Sequence, residues 1–204
     1  MKVIGLTGQS GAGKGVVSAL FARFGIPSLN ADGIYRELLV PPSPCLNEIA
    51  EAFGRGILLP DGTLDRRALG KIVFSDRAAL ARLDAIAHRY VMAEMRRRMA
   101  DLRAQGVPAV VLDAPQLFEA DGARDCDAVV AVLADEPLRL ARVVARDGIT
   151  ADEARRRFAA QYPERFFREH ADYILENNGS PEDLLPRVRD ILNALGLPSS
   201  KKTN

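Results

Sequence analysis

Residues 1–18, MKVIGLTGQSGAGKGVVS, hold the side chains and spacing most able to do chemistry. A short apolar run ends at Leu6, a glycine-rich turn follows, and Lys14 opens a helical stretch. The spacing Gly8-x-x-x-x-Gly13-Lys14 fits a P-loop, whose backbone N–H groups and following helix N-terminus face an anion. Gly8, Gly11 and Gly13 allow positive φ and leave room for phosphate oxygens. Lys14 is then expected to reach the β- and γ-phosphates of a nucleotide. The motif calls for Ser or Thr after the lysine as a ligand to Mg²⁺, and this chain has Gly15 and Val16.

Two carboxylates stand where strand ends are expected. Asp32 follows Ile26–Leu29 and Asn30-Ala31, so it either serves an attacking hydroxyl or caps a Gly33–Leu39 helix. Asp113 closes the run Val107–Leu112 in the manner of a Walker-B strand; a turn role before Pro115 is the other reading. With no hydroxyl at residue 15, Mg²⁺ is expected to rely on water, nucleotide oxygens and a carboxylate such as Asp113. Arg142 and Arg146 are four residues apart on one helix face and can aim at one anion, whereas Arg139, Arg155, Arg156 and Arg157 are expected mostly to solvate exposed faces. His88 has no second ligand at a metal-binding spacing, and Phe166-Phe167 are expected to pack in the core.

These groups need a scaffold, and the apolar pattern supplies one. Strands are expected at Val3–Thr7, Val107–Asp113, Ala128–Leu133 and Tyr173–Leu175. Helices are expected at Gly15–Phe24, Asp65–Val73, Ala78–Gln105, Glu136–Arg146, Ala151–Gln161 and Pro181–Leu195. The alternation indicates an α/β fold with a parallel sheet. The gap between the first strand and that at Val107 is too long for one crossover, so it must hold a largely helical insertion. Pro41–Pro44 and Leu59–Thr63 carry turn chemistry, Thr150 with Glu153 forms a capping box, and the polar end Pro198–Asn204 is expected to fray.

Composition narrows the class. The chain has 204 residues, a formal charge of +1 and 27% charged residues, which suits one globular domain and argues against a broad nucleic-acid footprint. Cys45 and Cys126 lack CxxC spacing and read as buried free thiols in a reducing compartment. Without a leader or a long apolar run, a cytoplasmic protein with no membrane partner is expected.

In order along the chain, Gly8–Lys14, Asn30-Ala31-Asp32 and Leu58–Arg66 resemble a bacterial dephospho-CoA kinase. So do Asp113–Glu119, Ala145–Gly148, Ala159–Gln161 and Asn177–Gly179. The resemblance implies a three-layer P-loop kinase fold. Its core would cover about residues 1–33, 104–140 and 170–197, its helical CoA-binding insertion about 34–103 and its lid about 141–169. It implies transfer of the ATP γ-phosphoryl to the 3′-hydroxyl of dephospho-CoA, the last step of CoA synthesis, by a monomer or small homo-oligomer. On this basis Gly8 and Gly11, Ala12, Gly13, Lys14, Gly15 and Val16 bind ATP phosphates, and Asn177 lies near the adenine. Asp32 is the base, Lys14, Arg142 and Arg146 stabilise the moving phosphoryl group, and Asp32, His88, Gln161 and Arg168 serve the acceptor. The chain departs from the family at Gly15, Val16, Asn30, Arg89, Gln116 and Phe167. Another small-molecule or nucleoside monophosphate kinase, or a nucleotide-binding protein impaired in catalysis, is the alternative reading.

Overall fold

Short apolar runs rich in valine, alanine and leucine build the sheet that positions the P-loop. The computed structural model describes residues 1–199, and residues 200–204 of the polar end expected to fray lie outside them. Among the described residues the strands are β1 (Lys2–Gly8), β2 (Ser28–Asn30), β3 (Ala109–Asp113), β4 (Ala128–Leu133) and β5 (Tyr173–Glu176). They form one sheet in the order β2-β3-β1-β4-β5. β1 runs parallel to β3 and β4, and β4 runs parallel to β5. Every residue of β3 and β4 is buried, as strands covered on both faces require. The short strand β2 overlaps the Ile26–Leu29 segment that precedes Asp32, and just before it the Pro27 carbonyl accepts from the Val111 N–H of β3 at 2.9 Å while Ile26 is fully buried in the main core.

The chain divides into two compact units: residues 1–29 together with those from 102 on, and residues 30–101. In the first unit, α1 (Lys14–Arg23) buries Val17, Leu20 and Phe21, the i, i+3, i+4 stripe of an amphipathic helix. Its end is a Schellman turn, in which the Gly25 N–H donates to the Ala22 carbonyl at 2.9 Å and the Ile26 N–H to Phe21 at 3.2 Å. Val17 and Phe21 share the main core with Ile4, Leu6, Val130 and Val132, and with Leu184, Val188 and Leu192 of α9 (Pro181–Ala194). Alternate residues of β4, Ala131 and Leu133, face the other way onto Phe167 of α8 (Glu164–His170). Helices thus cover both faces.

Helix α8 has no counterpart among the expected elements, because its sequence shows two adjacent phenylalanines among charges and no helical period. Phe167 enters the core as expected. Phe166 instead stacks between Tyr162 and His170, with ring centroids 3.9 and 4.1 Å away. The remaining helices of this unit are α6 (Glu136–Asp147) and α7 (Ala151–Ala159), joined through Gly148 in the left-handed conformation. α7 opens on the expected capping box of Thr150 and Glu153.

The second unit holds α2 (Ala31–Leu38), α3 (Pro44–Phe53), α4 (Arg66–Val73) and most of α5 (Arg77–Ala104). Cys45, Leu46, Ile49, Ile57, Leu69 and Val73 form its core. Helix α3 begins inside the segment expected to turn. Ser43 Oγ accepts from the Leu46 N–H at 3.1 Å and Pro44 takes the first helical position, a start signal that the Pro-rich composition hides. Leu59–Thr63 is the expected turn, with the Gly62 N–H donating to the Leu59 carbonyl at 2.9 Å. Asp32 does not cap α2: Asn30 Oδ1 accepts from the Gly33 N–H at 2.7 Å, and Asp32 sits exposed in the first turn. Both cysteines are free thiols, Cys45 buried and Cys126 only half-buried, which corrects the expectation for Cys126. Among the described residues no helix is long and apolar enough to cross a membrane.

Two aspartates tie the N-terminal ends of the strands. The Val3 N–H donates to Asp127 and the Val129 N–H to Asp172, both at 2.7 Å. The Val3 bond first, and the Lys2 ammonium after it, hold the Asp127 carboxyl below its usual range. A group with a depressed folded pKa stabilises the fold above its unfolded pKa and loses that contribution as pH falls through the folded value. Asp127→Asn should therefore lower the melting temperature at neutral pH. It should also flatten the loss of stability between roughly pH 5 and pH 3, as read from thermal melts across that range.

Candidate functional site

β1 ends at Gly8, opposite Val132 of β4, and Leu6 of β1 lies opposite Asp113, the last residue of β3. The C-terminal ends of three strands therefore meet where the P-loop begins, the usual ligand crevice of an open α/β sheet. Glycine is obligatory at three points of that loop. At Gly8, with φ of 133°, a Cβ would lie 2.1 Å from the Val132 carbonyl oxygen. At Gly11, with φ of 77°, a Cβ would lie 2.5 Å from the Arg139 carbonyl oxygen. At Gly13, with φ of 98°, it would lie 2.1 Å from Asn177 Nδ2. Gly15, already within α1, has nothing within 4 Å of the place a Cβ would take.

The loop is held by side chains that grip its carbonyls. Arg139 Nη1 reaches the Ser10 carbonyl at 3.5 Å, Arg142 Nη1 donates to Gly11 at 3.3 Å, and Asn177 Nδ2 donates to Ala12 at 2.8 Å. Arg142 Nη2 also donates to the Asn177 carbonyl at 3.1 Å. Three successive carbonyls are thus turned onto cationic or amide donors, which suits a loop whose N–H groups are to face an anion. The Ser10 N–H donates to Gln161 Oε1 at 3.0 Å, and Lys14 Nζ donates to the Gly8 carbonyl at 2.9 Å. The side chain of Ala12 is fully buried in the main core and that of Val16 packs against it.

The arginines do not behave as one set. Arg142 rests on loop carbonyls, whereas Arg146 forms a two-point ion pair with Asp147, Nε–Oδ1 2.7 Å and Nη2–Oδ2 3.0 Å. Arg157 joins the same carboxylate at 2.8 Å. The Arg146 bonds first, and Arg157 with them, hold the Asp147 carboxyl below its usual range. The structure therefore brings Arg142 to the P-loop and engages Arg146 with its neighbour. Arg139 corrects the expectation of a solvated face: it is 6% exposed, with its guanidinium 4.4 Å over the Phe158 ring. Burial works against its charge and lowers its pKa. Its sequence signal was only its place one turn before Arg142, which is common on solvated helices.

Asp113 is buried at the end of β3. The segment after it is fastened to β1, since the Ala114 N–H donates to the Leu6 carbonyl at 3.1 Å and Thr7 Oγ1 to that of Pro115 at 3.2 Å. Arg168 pairs with Glu164 and with Glu176, the residue before Asn177. In the helical unit, Asp32 is exposed and His88 is partly buried on α5. Among the described residues no group of three or more His, Cys, Asp or Glu side chains could hold a metal ion. One buried carboxylate at Asp113 and no hydroxyl at residue 15 fit a metal carried chiefly by nucleotide oxygens and water.

A family model described as dephospho-CoA kinase matches residues 2–183. The chain is 41% identical over 191 residues to the dephospho-CoA kinase of Geobacter sulfurreducens, covering 94% of this chain and 97% of that one. Among solved structures, TT1252 from Thermus thermophilus is 34% identical, with a TM-score of 0.81 over 95% of this chain and 97% of its own. The dephospho-CoA kinase from Campylobacter jejuni shares the fold, with a TM-score of 0.70 at 24% identity over 96% of this chain and 98% of its own.

The contrast between two glycines is measurable. Gly15→Ala should raise the stability of the free protein by about 0.5–1 kcal/mol, because glycine is costly inside a helix and the added methyl meets nothing. Gly8→Ala forces a Cβ onto strand backbone and should yield protein with a markedly lower melting temperature or none that folds. Thermal melts of the two variants beside the wild type check both outcomes.

Proposed function

The chain belongs to the dephospho-CoA kinase family, and from that premise we propose how its residues divide the transfer of the ATP γ-phosphoryl to the 3′-hydroxyl of dephospho-CoA. The backbone of Gly8–Val16 cradles the phosphates of ATP, and Lys14 leaves the Gly8 carbonyl to meet the β- and γ-oxygens. The loop supports this reading most strongly: it starts at a strand end, it is glycine where a Cβ would clash, and its carbonyls are gripped by Arg142 and Asn177. Phosphoryl transfer asks mainly for positioning and charge stabilisation, which these groups supply. Arg142, beside the loop, and Arg146, released from Asp147, offset charge on the transferring group. Asn177 borders the adenine, and Asp32 takes the proton of the attacking hydroxyl. His88 and Arg168 serve the acceptor from residues 34–103 and the lid at 141–169.

A divalent ion bound with ATP supplies Lewis-acid charge neutralisation at the phosphates. In this chain Asp113 is the carboxylate that would steady it, through water, since Gly15 offers no oxygen. The same gap is what favours the second reading, a nucleotide-binding protein impaired in catalysis. Purified protein mixed with ATP, Mg²⁺ and dephospho-CoA should yield CoA and ADP, and AMP, CMP or shikimate should not replace the acceptor. Tight ATP binding without turnover at any Mg²⁺ concentration would decide for the second reading.

Residue 15 yields a sharper expectation. Gly15→Ser puts a hydroxyl at the first turn of α1, where space is open, and should lower the free Mg²⁺ needed for half-maximal activity. Calorimetric titration of ATP at several Mg²⁺ concentrations should show the same shift. Superimposable curves for the two proteins would mean that Asp113 and water already satisfy the ion.

A further inference from the structure

Ser10 is held from two sides by residues at the ends of α6 and α7. Its N–H donates to Gln161 Oε1 at 3.0 Å, and its carbonyl takes the longer 3.5 Å contact from Arg139 Nη1. Arg139 is itself fixed, with Nε donating to the Ala134 carbonyl at 3.0 Å and the guanidinium lying over Phe158. Phe158 and Gln161 belong to one turn, because the Gln161 N–H donates to the Phe158 carbonyl at 3.1 Å. The contacts close a circuit: Ser10 to Arg139, Arg139 to Phe158, Phe158 to Gln161, and Gln161 back to Ser10. In a closed network each member limits the rotation of the next, so removal of one bond loosens the rest.

The circuit meets the P-loop immediately before Gly11, where the loop backbone has no slack. A Cβ at Gly11 would lie 2.5 Å from the Arg139 carbonyl oxygen, so Arg139 sets the backing of the loop as well as gripping Ser10. We propose that Gln161 is a positioning residue for the nucleotide, fixing the P-loop through Ser10 for the ATP phosphates and making no contact with dephospho-CoA. This rests on the reading of the loop as the ATP site, and it departs from the role that family resemblance lends Gln161. A residue that touched the acceptor would show itself in acceptor affinity. A residue that sets the loop shows itself in ATP affinity.

Gln161→Met keeps the length of the side chain and removes the acceptor oxygen. In the full chain, its Kd for ATP by calorimetry and its KM for ATP should both rise about fivefold, as expected for one lost hydrogen bond to a backbone amide. The KM for dephospho-CoA should stay at the wild-type value, and the melting temperature without nucleotide should fall by no more than the few degrees that one part-buried hydrogen bond is worth. Phe158→Leu, which leaves Gln161 intact and takes the ring from Arg139, should reproduce a smaller rise in ATP Kd. The double variant should fall short of the product of the two single effects, since the residues share one circuit. A raised KM for dephospho-CoA with unchanged ATP Kd overturns the proposal, as does a Gln161→Met protein that matches the wild type in both. Failure of the wild type to bind ATP in the same titration would instead overturn the reading of the loop.

Discussion

The geometry of this protein depends on what holds the carbonyls of residues 10–12. A P-loop is a stretch of backbone with almost no side chains of its own, so it cannot fix its own peptide orientations. Here the task falls to Arg139, Arg142 and Asn177, drawn from α6 and from the end of β5. Each donates to one carbonyl of three in a row, and each is anchored independently of the loop. Arg139 is buried against Phe158, and the backbone of Asn177 continues the sheet, with its N–H donating to the Leu133 carbonyl at 2.8 Å. The sheet order follows from the same need, because β4 flanked by β1 and β5 brings Gly8, Leu133 and Asn177 to one edge.

Much of this was legible in the sequence, for identifiable reasons. β4 is unbroken from Ala128 to Leu133, and its apolar run marks it without help from its neighbours. The P-loop spacing is fixed by covalent geometry, so pattern alone located it. Helices α3 and α8 escaped notice because their evidence is tertiary. α3 starts on Ser43-Pro44, residues that also make turns, and α8 buries one phenylalanine while stacking the other. Arginine roles were the least readable. Arg139, Arg142 and Arg146 lie on a single helix in similar local sequence, yet one is buried, one braces backbone and one pairs with an adjacent acid. What separates them is which neighbour each meets, and a linear pattern holds no record of that.

The acidic partner of Arg146 also shapes the junction between α6 and α7. Asp147 stands at the end of α6 and gathers Arg146 and Arg157, so one carboxylate links two helices across the Gly148 turn. These pairs are largely exposed to solvent, where ion pairs are weak and readily exchanged. A cation held in this way is orderly without being committed. The buried Arg139 is the opposite case, since its removal from water leaves it few alternatives to the carbonyls it already serves.

Ala12 gives the loop one further property. It sits in the middle of a ligand-binding turn, yet its methyl group is wholly inside the main hydrophobic core with Val17, Phe21 and Leu192. In many enzymes the residues under selection for heat tolerance and those under selection for turnover occupy separate neighbourhoods. Here they overlap. A change that repacks α1 against α9 shifts the floor beneath Ala12, so evolutionary drift in this core is policed by catalysis as well as by folding. Lineages adapting to a new growth temperature would find few acceptable substitutions in the core under this loop.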